Sequence, residues 1–387
     1  MNPSALTDFL PVLENWFGTE MARLYETAPT RRDDTLLMGC PVWGKKYLDR
    51  FQNYCLPSIV SQKNLGALAG RCHMVLFTDT DSFTRLWGMT KGLEAGGITI
   101  QLLVIPNEVM VHVPSDELNK YWILGVAGNV MLQMAGRVGM AFHMLQPDHI
   151  YAEDYFPNLF RLRDLGHEAI VQPGISAEIS TAWEDIEPFR IKEGPSRGSL
   201  PIPSRALGNI GFKHLHKQTV SSLMNNATIP EQMPNSHLLV WQGRDKLVLH
   251  CCHMNPAYLS PRLCSLAQPR IPATLDAELP SFIGETPFYM PQNGEMTYVE
   301  VSDKDKAADE GLVSLDVFSE RCWSNVRWQF DWMPYFERAF HVPIKRQKKY
   351  IPDDEIERQF KQVHALLIDA NPPGAHRRFI PRLAFQR

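Results

Sequence analysis

His149-Ile150-Tyr151-Ala152-Glu153-Asp154-Tyr155-Phe156 decides how this chain is read; Pro147-Asp148 precedes it and Pro157-Asn158 follows. Aromatic and β-branched residues lead into two adjacent acids. The pattern predicts a short buried strand with Glu153 and Asp154 at its exit. An acid pair at the carboxyl end of a central strand is where an α/β sheet holds a divalent metal and a phosphorylated ligand. Solvated acids at a strand end are the plain alternative, so the surroundings of the pair matter.

Upstream, Thr35-Leu36-Leu37-Met38 predicts a first strand, closed by the loop Gly39-Cys40-Pro41-Val42-Trp43-Gly44. A helix follows, with Tyr47, Leu48, Phe51, Tyr54 and Cys55 on one face. Strand, glycine-bounded loop and helix form the first unit of a nucleotide-binding α/β fold. Gly39 to Gly44-Lys45 also matches most of a P-loop. That loop needs a Ser or Thr hydroxyl for magnesium where Lys46 stands, and Pro41, Val42 and Trp43 are bulky for a backbone that wraps phosphates. Cys72 to Thr78 predicts a second strand with Asp79-Thr80-Asp81 beyond it. Asp79 reads first as the cap of a helix starting near Ser82 and second as a ligand contact. Ile98 to Ile105 predicts a third strand.

The most apolar stretch, Tyr121 to Met144, carries Asn129, Gln133 and Arg137 and four glycines. It reads as a core helix, capped by Ser115 or Asp116, rather than a membrane span. It delivers the chain to the acid-bearing segment, taken as the fourth strand. A helix over 158–165 and a fifth strand over 167–171 complete the alternation. The expected class is a mostly parallel sheet covered by helices on both faces, with ligands beyond the strands' carboxyl ends.

The second half changes character. Eighteen of the 29 prolines fall after position 194, and residues 193–203 read as a linker or mobile loop. Two hairpins are expected: Leu238–Trp241 with Lys246–His250, and Pro287–Met290 with Met296–Val301 around Gln292-Asn293-Gly294. His250 and His253 flank Cys251-Cys252, but no second ligand pair accompanies them as structural zinc requires. Residues 304–340 and 353–370 read as helical, with Lys345, Arg346, Lys348 and Lys349 between them as a solvated basic face. The domain expectation is a helical lead-in over 1–30, a nucleotide-binding α/β half over 31–192, an acceptor-side mixed region over 193–303 and a helical segment over 304–387.

Composition sets outer bounds. The chain has 387 residues, 44% hydrophobic and 21% charged, with a formal net charge of −4. These values describe an ordinary globular protein and do not suggest a nucleic-acid partner. Seven cysteines without regular spacing suit a reducing compartment. With no basic-then-apolar start and no transmembrane segment, the expected location is cytoplasmic.

The order of elements resembles a GT-A type (nucleotide-diphospho-sugar) glycosyltransferase, as in bacterial members. The resemblance runs over residues 33 to 303: the first strand and helix over Thr35 to Ser61, the acid-bearing strand end at Glu153-Asp154, then Val248 to Pro256 and Thr274-Leu275-Asp276. It departs from the family at the fourth strand, where adjacent acids stand instead of Asp-x-Asp. It implies a GT-A/Rossmann-like sheet with a smaller mixed α+β region and C-terminal helices. It further implies sugar transfer from a nucleotide-diphosphate donor to an acceptor left open among glycan, lipid and protein. Under it, Asp154 with Glu153 would hold Mn or Mg. The backbone of Gly39, Cys40, Pro41, Val42 and Trp43, with Thr78 and Asp79, would hold the nucleoside. Asp276 or His253 would take the acceptor's proton. The competing readings are a non-catalytic binding or scaffolding protein that keeps the sheet, and a P-loop-like NTPase.

Overall fold

The computed structural model describes residues 15–16, 18–22, 34–105, 119–224, 233–234, 238–251, 254–267, 279, 283, 286–292, 294–304, 312–318 and 336–370. The strands are β1 (Leu36–Pro41), β2 (Cys72–Thr78), β3 (Thr99–Val104), β4 (Ala141–Met144), β5 (His149–Tyr151), β6 (Ala169–Gln172), β7 (Ile175–Glu178), β8 (Met233–Pro234), β9 (Leu238–Gln242), β10 (Lys246–Cys251), β11 (Asn255–Leu259), β12 (Phe288–Tyr289), β13 (Tyr298–Ser302), β14 (Leu312–Val313) and β15 (Phe340–Pro343). A seven-stranded sheet runs β12-β6-β11-β4-β1-β2-β3. It is mostly parallel: β4, β1, β2 and β3 share one direction, and β11 lies antiparallel between β4 and β6. Smaller sheets hold β5-β13-β7 and β15-β10-β9.

The first three strands lie close to where the sequence puts them, with β1 running on through Gly39–Pro41, and their mostly apolar runs are buried on both sides. Alternate residues face opposite layers. Leu37, Val75, Phe77 and Leu103 share one buried cluster with the long helix that spans Asn119–Val138 and with Trp16 and Met21. Leu36, Met38, Cys40, Met74, Leu76 and Leu102 meet Leu48, Phe51, Cys55, Leu86 and Leu93 on the other side. Those partners come from α1 (Gly44–Arg50), the π-helical turn Phe51–Cys55 and α4 (Thr80–Ala95), with α2 (Leu56–Ile59) and α3 (Gln62–Leu68) between them. The long helix, α5, is therefore a core element, as its apolar sequence suggests. Among the described residues no helix is long and apolar enough to cross a membrane.

Three expectations need correction. The apolar run to Met144 is not one helix: α5 ends at Val138, Gly139 takes φ +74, and Ala141–Met144 becomes β4. A positive φ suits glycine and breaks the helix there. The true fourth strand of the main sheet is thus β4. The segment His149–Tyr151 is β5, paired antiparallel with β13 in a separate sheet. Second, no hairpin forms around Gln292–Gly294: β12 pairs with β6 and β13 pairs with β5 and β7. Glu295 N–H donates to the Gln292 carbonyl there, but the strands on either side take other partners. Third, residues 193–203 are tied down. Leu200 and Ile202 are buried, Leu200 N–H donates to the Pro57 carbonyl, and the Ile202 carbonyl accepts from Glu153 N–H.

The hairpin of β9 and β10 forms as expected, joined by β15. Its outer layer packs Trp241 and Phe336 against Ile356, Val363 and Leu367 of the C-terminal helix Asp353–Ala370. Of the lead-in helix, Trp16 is described; it packs edge-on against Phe77, with ring centroids 5.5 Å apart. The aromatic residues Trp323, Trp328, Phe330, Trp332 and Tyr335 lie outside the described residues.

Candidate functional site

Strand order places the site. From β1 the chain steps to β2 and β3 on one side, then returns through α5 to β4 on the other. The reversal falls between β1 and β4, and in open α/β sheets ligands sit beyond the carboxyl ends at such a reversal. Two segments leave the sheet there. After β1 come Val42, Trp43 and α1. After β4 comes the turn Gln146-Pro147-Asp148-His149, closed by the His149 N–H to the Gln146 carbonyl at 3.2 Å, with proline at its second position.

A charged cluster joins these segments. Arg50 Nη1 lies 3.1 Å from Asp148 Oδ2 and its Nη2 lies 2.9 Å from Asp303 Oδ1. The Nη2 contact is close but poorly aimed, so it is an ion pair rather than a directed hydrogen bond. Lys46 Nζ lies 2.5 Å from Asp303 Oδ2. Asp303 follows β13, so three separate segments meet. The Arg50 side chain is 7% exposed and that of Asp148 14%, against 56% for Lys46 and 42% for Asp303. Burial alone would lower the Arg50 pKa, but Asp148 and Asp303 outweigh it and raise it. Burial pushes Asp303 up, and Lys46 with Arg50 brings it below the usual carboxylate range. Arg50 also lies over the Tyr47 ring, 5.8 Å from its centroid. The cluster can do one thing chemically: present an oriented guanidinium and a freer ammonium at the mouth of the sheet.

The residues singled out from sequence divide differently. Gly39, Cys40 and Pro41 are strand residues rather than loop. A Cβ on Gly39 would stand 2.7 Å from Met131 Sδ, so this glycine serves close packing on α5. Cys40 and Val42 are fully buried, and burial first, then Cys55, raises the Cys40 thiol well above its ordinary pKa. The P-loop spacing is therefore a strand and a tight turn. Trp43 is half-buried against Tyr47, with centroids 5.4 Å apart. Thr78 is buried at the end of β2. Asp79 caps α4 through Ser82 N–H at 2.7 Å, and its other oxygen accepts from Gly44 N–H at 2.7 Å. Its capping role thus also fastens the exit of β1 to that of β2.

Glu153 and Asp154 lie in the turn between β5 and α6 (Tyr155–Asp164). Glu153 pairs with Lys63 at 2.9 Å, and Asp154 accepts from Ser204 Oγ at 2.8 Å. Buried Asn64 holds the same turn, donating to the Ala152 carbonyl and accepting from Phe156 N–H. These contacts do not fit a divalent cation: each acid has a protein partner. Among the described residues no three His, Cys, Asp or Glu side chains converge to hold one. His253 and Asp276 lie outside the described residues. His250 is buried, its Nδ1 on the Phe336 carbonyl and its ring stacked on Phe360.

Sequence reasoning missed Lys46, Arg50, Asp148 and Asp303 as a group. One signal was available: Gln146-Pro147-Asp148 directly follows an apolar run. With β4 in its true place, these three residues occupy the strand end where Asp-x-Asp was sought, with an amide in the first position.

No protein-family model matches the chain and no curated protein matches it. Among solved structures it is similar to TarS 1-349 of S. aureus in complex with UDP (TM-score 0.32, 11% identity, 77% of this chain and 66% of that one). It is also similar to S. aureus TarS 1-349 in a second crystal structure (TM-score 0.29, 10% identity, 88% and 68%) and to the apo form of mouse xyloside xylosyltransferase 1 (TM-score 0.22, 14% identity, 43% and 63%). The chain thus spans about two thirds of those chains' length. Scores this low say nothing of the chemistry.

Proposed function

We propose that this protein is a glycosyltransferase that takes a sugar from a nucleoside-diphosphate donor, with the donor's phosphates at the carboxyl ends of β1 and β4. The observation that carries the reading is the meeting of Lys46 and Arg50 with Asp148 and Asp303 at the sheet's reversal point. A parallel sheet directs ligands to that point, and a guanidinium suits phosphate oxygens. In the transfer, the acceptor hydroxyl oxygen bonds to the sugar's anomeric carbon. The bond from that carbon to the diphosphate oxygen breaks, and the diphosphate leaves with the electron pair. The hydroxyl proton passes to a base, for which His253 and Asp276 remain the proposed groups.

Thermal shift with UDP-, GDP- and CMP-sugars tests the reading, because a ligand bound only to the native state raises its melting temperature. One nucleoside-diphosphate sugar is expected to stabilise the chain and to be turned over to free nucleoside diphosphate. No shift with any of them would leave a binding or scaffolding protein on this sheet. A shift with ATP and magnesium alone would revive the NTPase reading, which the buried, strand-bound Gly39 opposes.

A further inference from the structure

We infer that the leaving diphosphate is neutralised by the side-chain cations Lys46 and Arg50 in place of a divalent metal. The inference rests on the proposed donor site and deepens it.

Charge that develops on a leaving group is best stabilised by groups already fixed where it appears. Arg50 meets that condition. Asp148 holds one of its nitrogens in a mostly buried pair, and the Tyr47 ring lies against it. Its other terminal nitrogen faces Asp303 without an aligned hydrogen bond. Lys46 meets it in another way. Its partner Asp303 is half-exposed and shared with Arg50, and exposed ion pairs contribute little stability. A phosphate oxygen can therefore displace Asp303 from Lys46 at small cost. Two cations share that carboxylate, so its displacement leaves both facing the incoming anion.

The same geometry opposes a metal. Mg or Mn takes hard oxygen ligands, carboxylates above all. The turn after β4 offers one carboxylate, Asp148, and Arg50 occupies it. Gln146 supplies only a neutral amide at the first position. A divalent ion placed there would also stand beside the Arg50 guanidinium and be repelled by it. The other acid pair is engaged by Lys63 and Ser204.

Calorimetric titration of UDP and GDP into the full chain, in EDTA and then with excess Mn, tests the inference. At least one nucleoside diphosphate is expected to bind in EDTA, with Mn changing the affinity by less than about threefold. Lys46→Gln, at an exposed position that does not threaten folding, is expected to weaken binding by about tenfold or more, the scale of one charge-assisted contact. Arg50→Lys keeps the charge but loses the planar fork; it is expected to weaken binding too, with its ligand-free melting temperature reporting whether it folds. Binding only with Mn overturns the inference and leaves the donor site standing. Binding in EDTA that Lys46→Gln does not weaken also overturns it. No binding of UDP or GDP under either condition overturns the donor-site reading itself.

Discussion

Two acidic turns lie within ten residues of one another and have opposite fates. The turn at Gln146–His149 ends a strand of the main sheet and aims Asp148 at an arginine that also reaches Asp303. The turn at Ala152–Asp154 ends a strand of a side sheet, and Lys63, Asn64 and Ser204 engage it. By sequence the Ala152–Asp154 turn is the richer one, with two acids against one. An acid's role is set by which strand end carries it and by what its partner can release. Asp148 orients a cation whose other nitrogen faces an exchangeable partner, whereas Glu153 and Asp154 fasten one loop to another.

Acid should break both turns together. His143 in β4 packs against the residues on either side of the second turn, its ring against Tyr151, Tyr155 and Phe156 and its Nδ1 on the Ala257 carbonyl. Burial lowers His143 from 6.5 to about 4, and burial lowers His250 likewise to about 4. The unfolded chain binds these protons first, so stability is full above pH 6.5 and lost as pH falls toward 4. The loss is about 1.4 kcal/mol per histidine for each pH unit in that window. Denaturant midpoints measured from pH 8 to 4.5 check it; a flat profile across pH 6 would show that neither imidazole is buried neutral.

Above that window the turns should separate. Arg50→Ala removes one side of a mostly buried pair and is expected to cost about 3 kcal/mol in urea unfolding, along with nucleotide binding. Glu153→Gln breaks a pair with an exposed lysine and is expected to cost less than about 1 kcal/mol. Equal costs would erase the distinction drawn between the turns.

Gly39→Ala probes β1, the strand that leads into Val42, Trp43 and α1. A methyl group there presses on Met131, whose thioether can partly yield. The expected loss is about 1–2 kcal/mol, with nucleotide affinity unchanged. A large loss of affinity without loss of stability would return Gly39 to the ligand. Ser204→Ala removes one hydrogen bond to Asp154 and is expected to cost about 1 kcal/mol, with no change in nucleotide affinity.

The class of fold was legible because β1, β2 and β3 are short apolar runs between glycines and acids, and burial on both faces needs just that pattern. Asp79 was legible as a cap for a local reason, since an N-cap depends on residues three apart. The fourth strand was not legible. Gly125, Gly128, Gly136 and Gly139 look alike in sequence, and only Gly139 adopts the backbone that ends α5. That misplacement moved the expected strand end from Asp148 to Asp154. The cluster was hidden for a different reason: Arg50 and Asp148 stand 98 residues apart, and no local pattern announces a pair at that distance. Lys46 stood out only as the residue that spoils a P-loop.

The ligand-facing charge is proposed to lie at the β1–β4 reversal and not at the Glu153–Asp154 turn. Titrating the better-bound of UDP and GDP into Lys46→Gln and Asp154→Asn at pH 7.5 tests it most directly. Affinity within about twofold of the unaltered protein is expected for Asp154→Asn, and a loss of about tenfold or more for Lys46→Gln. The reverse order, with Asp154→Asn abolishing binding and Lys46→Gln leaving it intact, would contradict it.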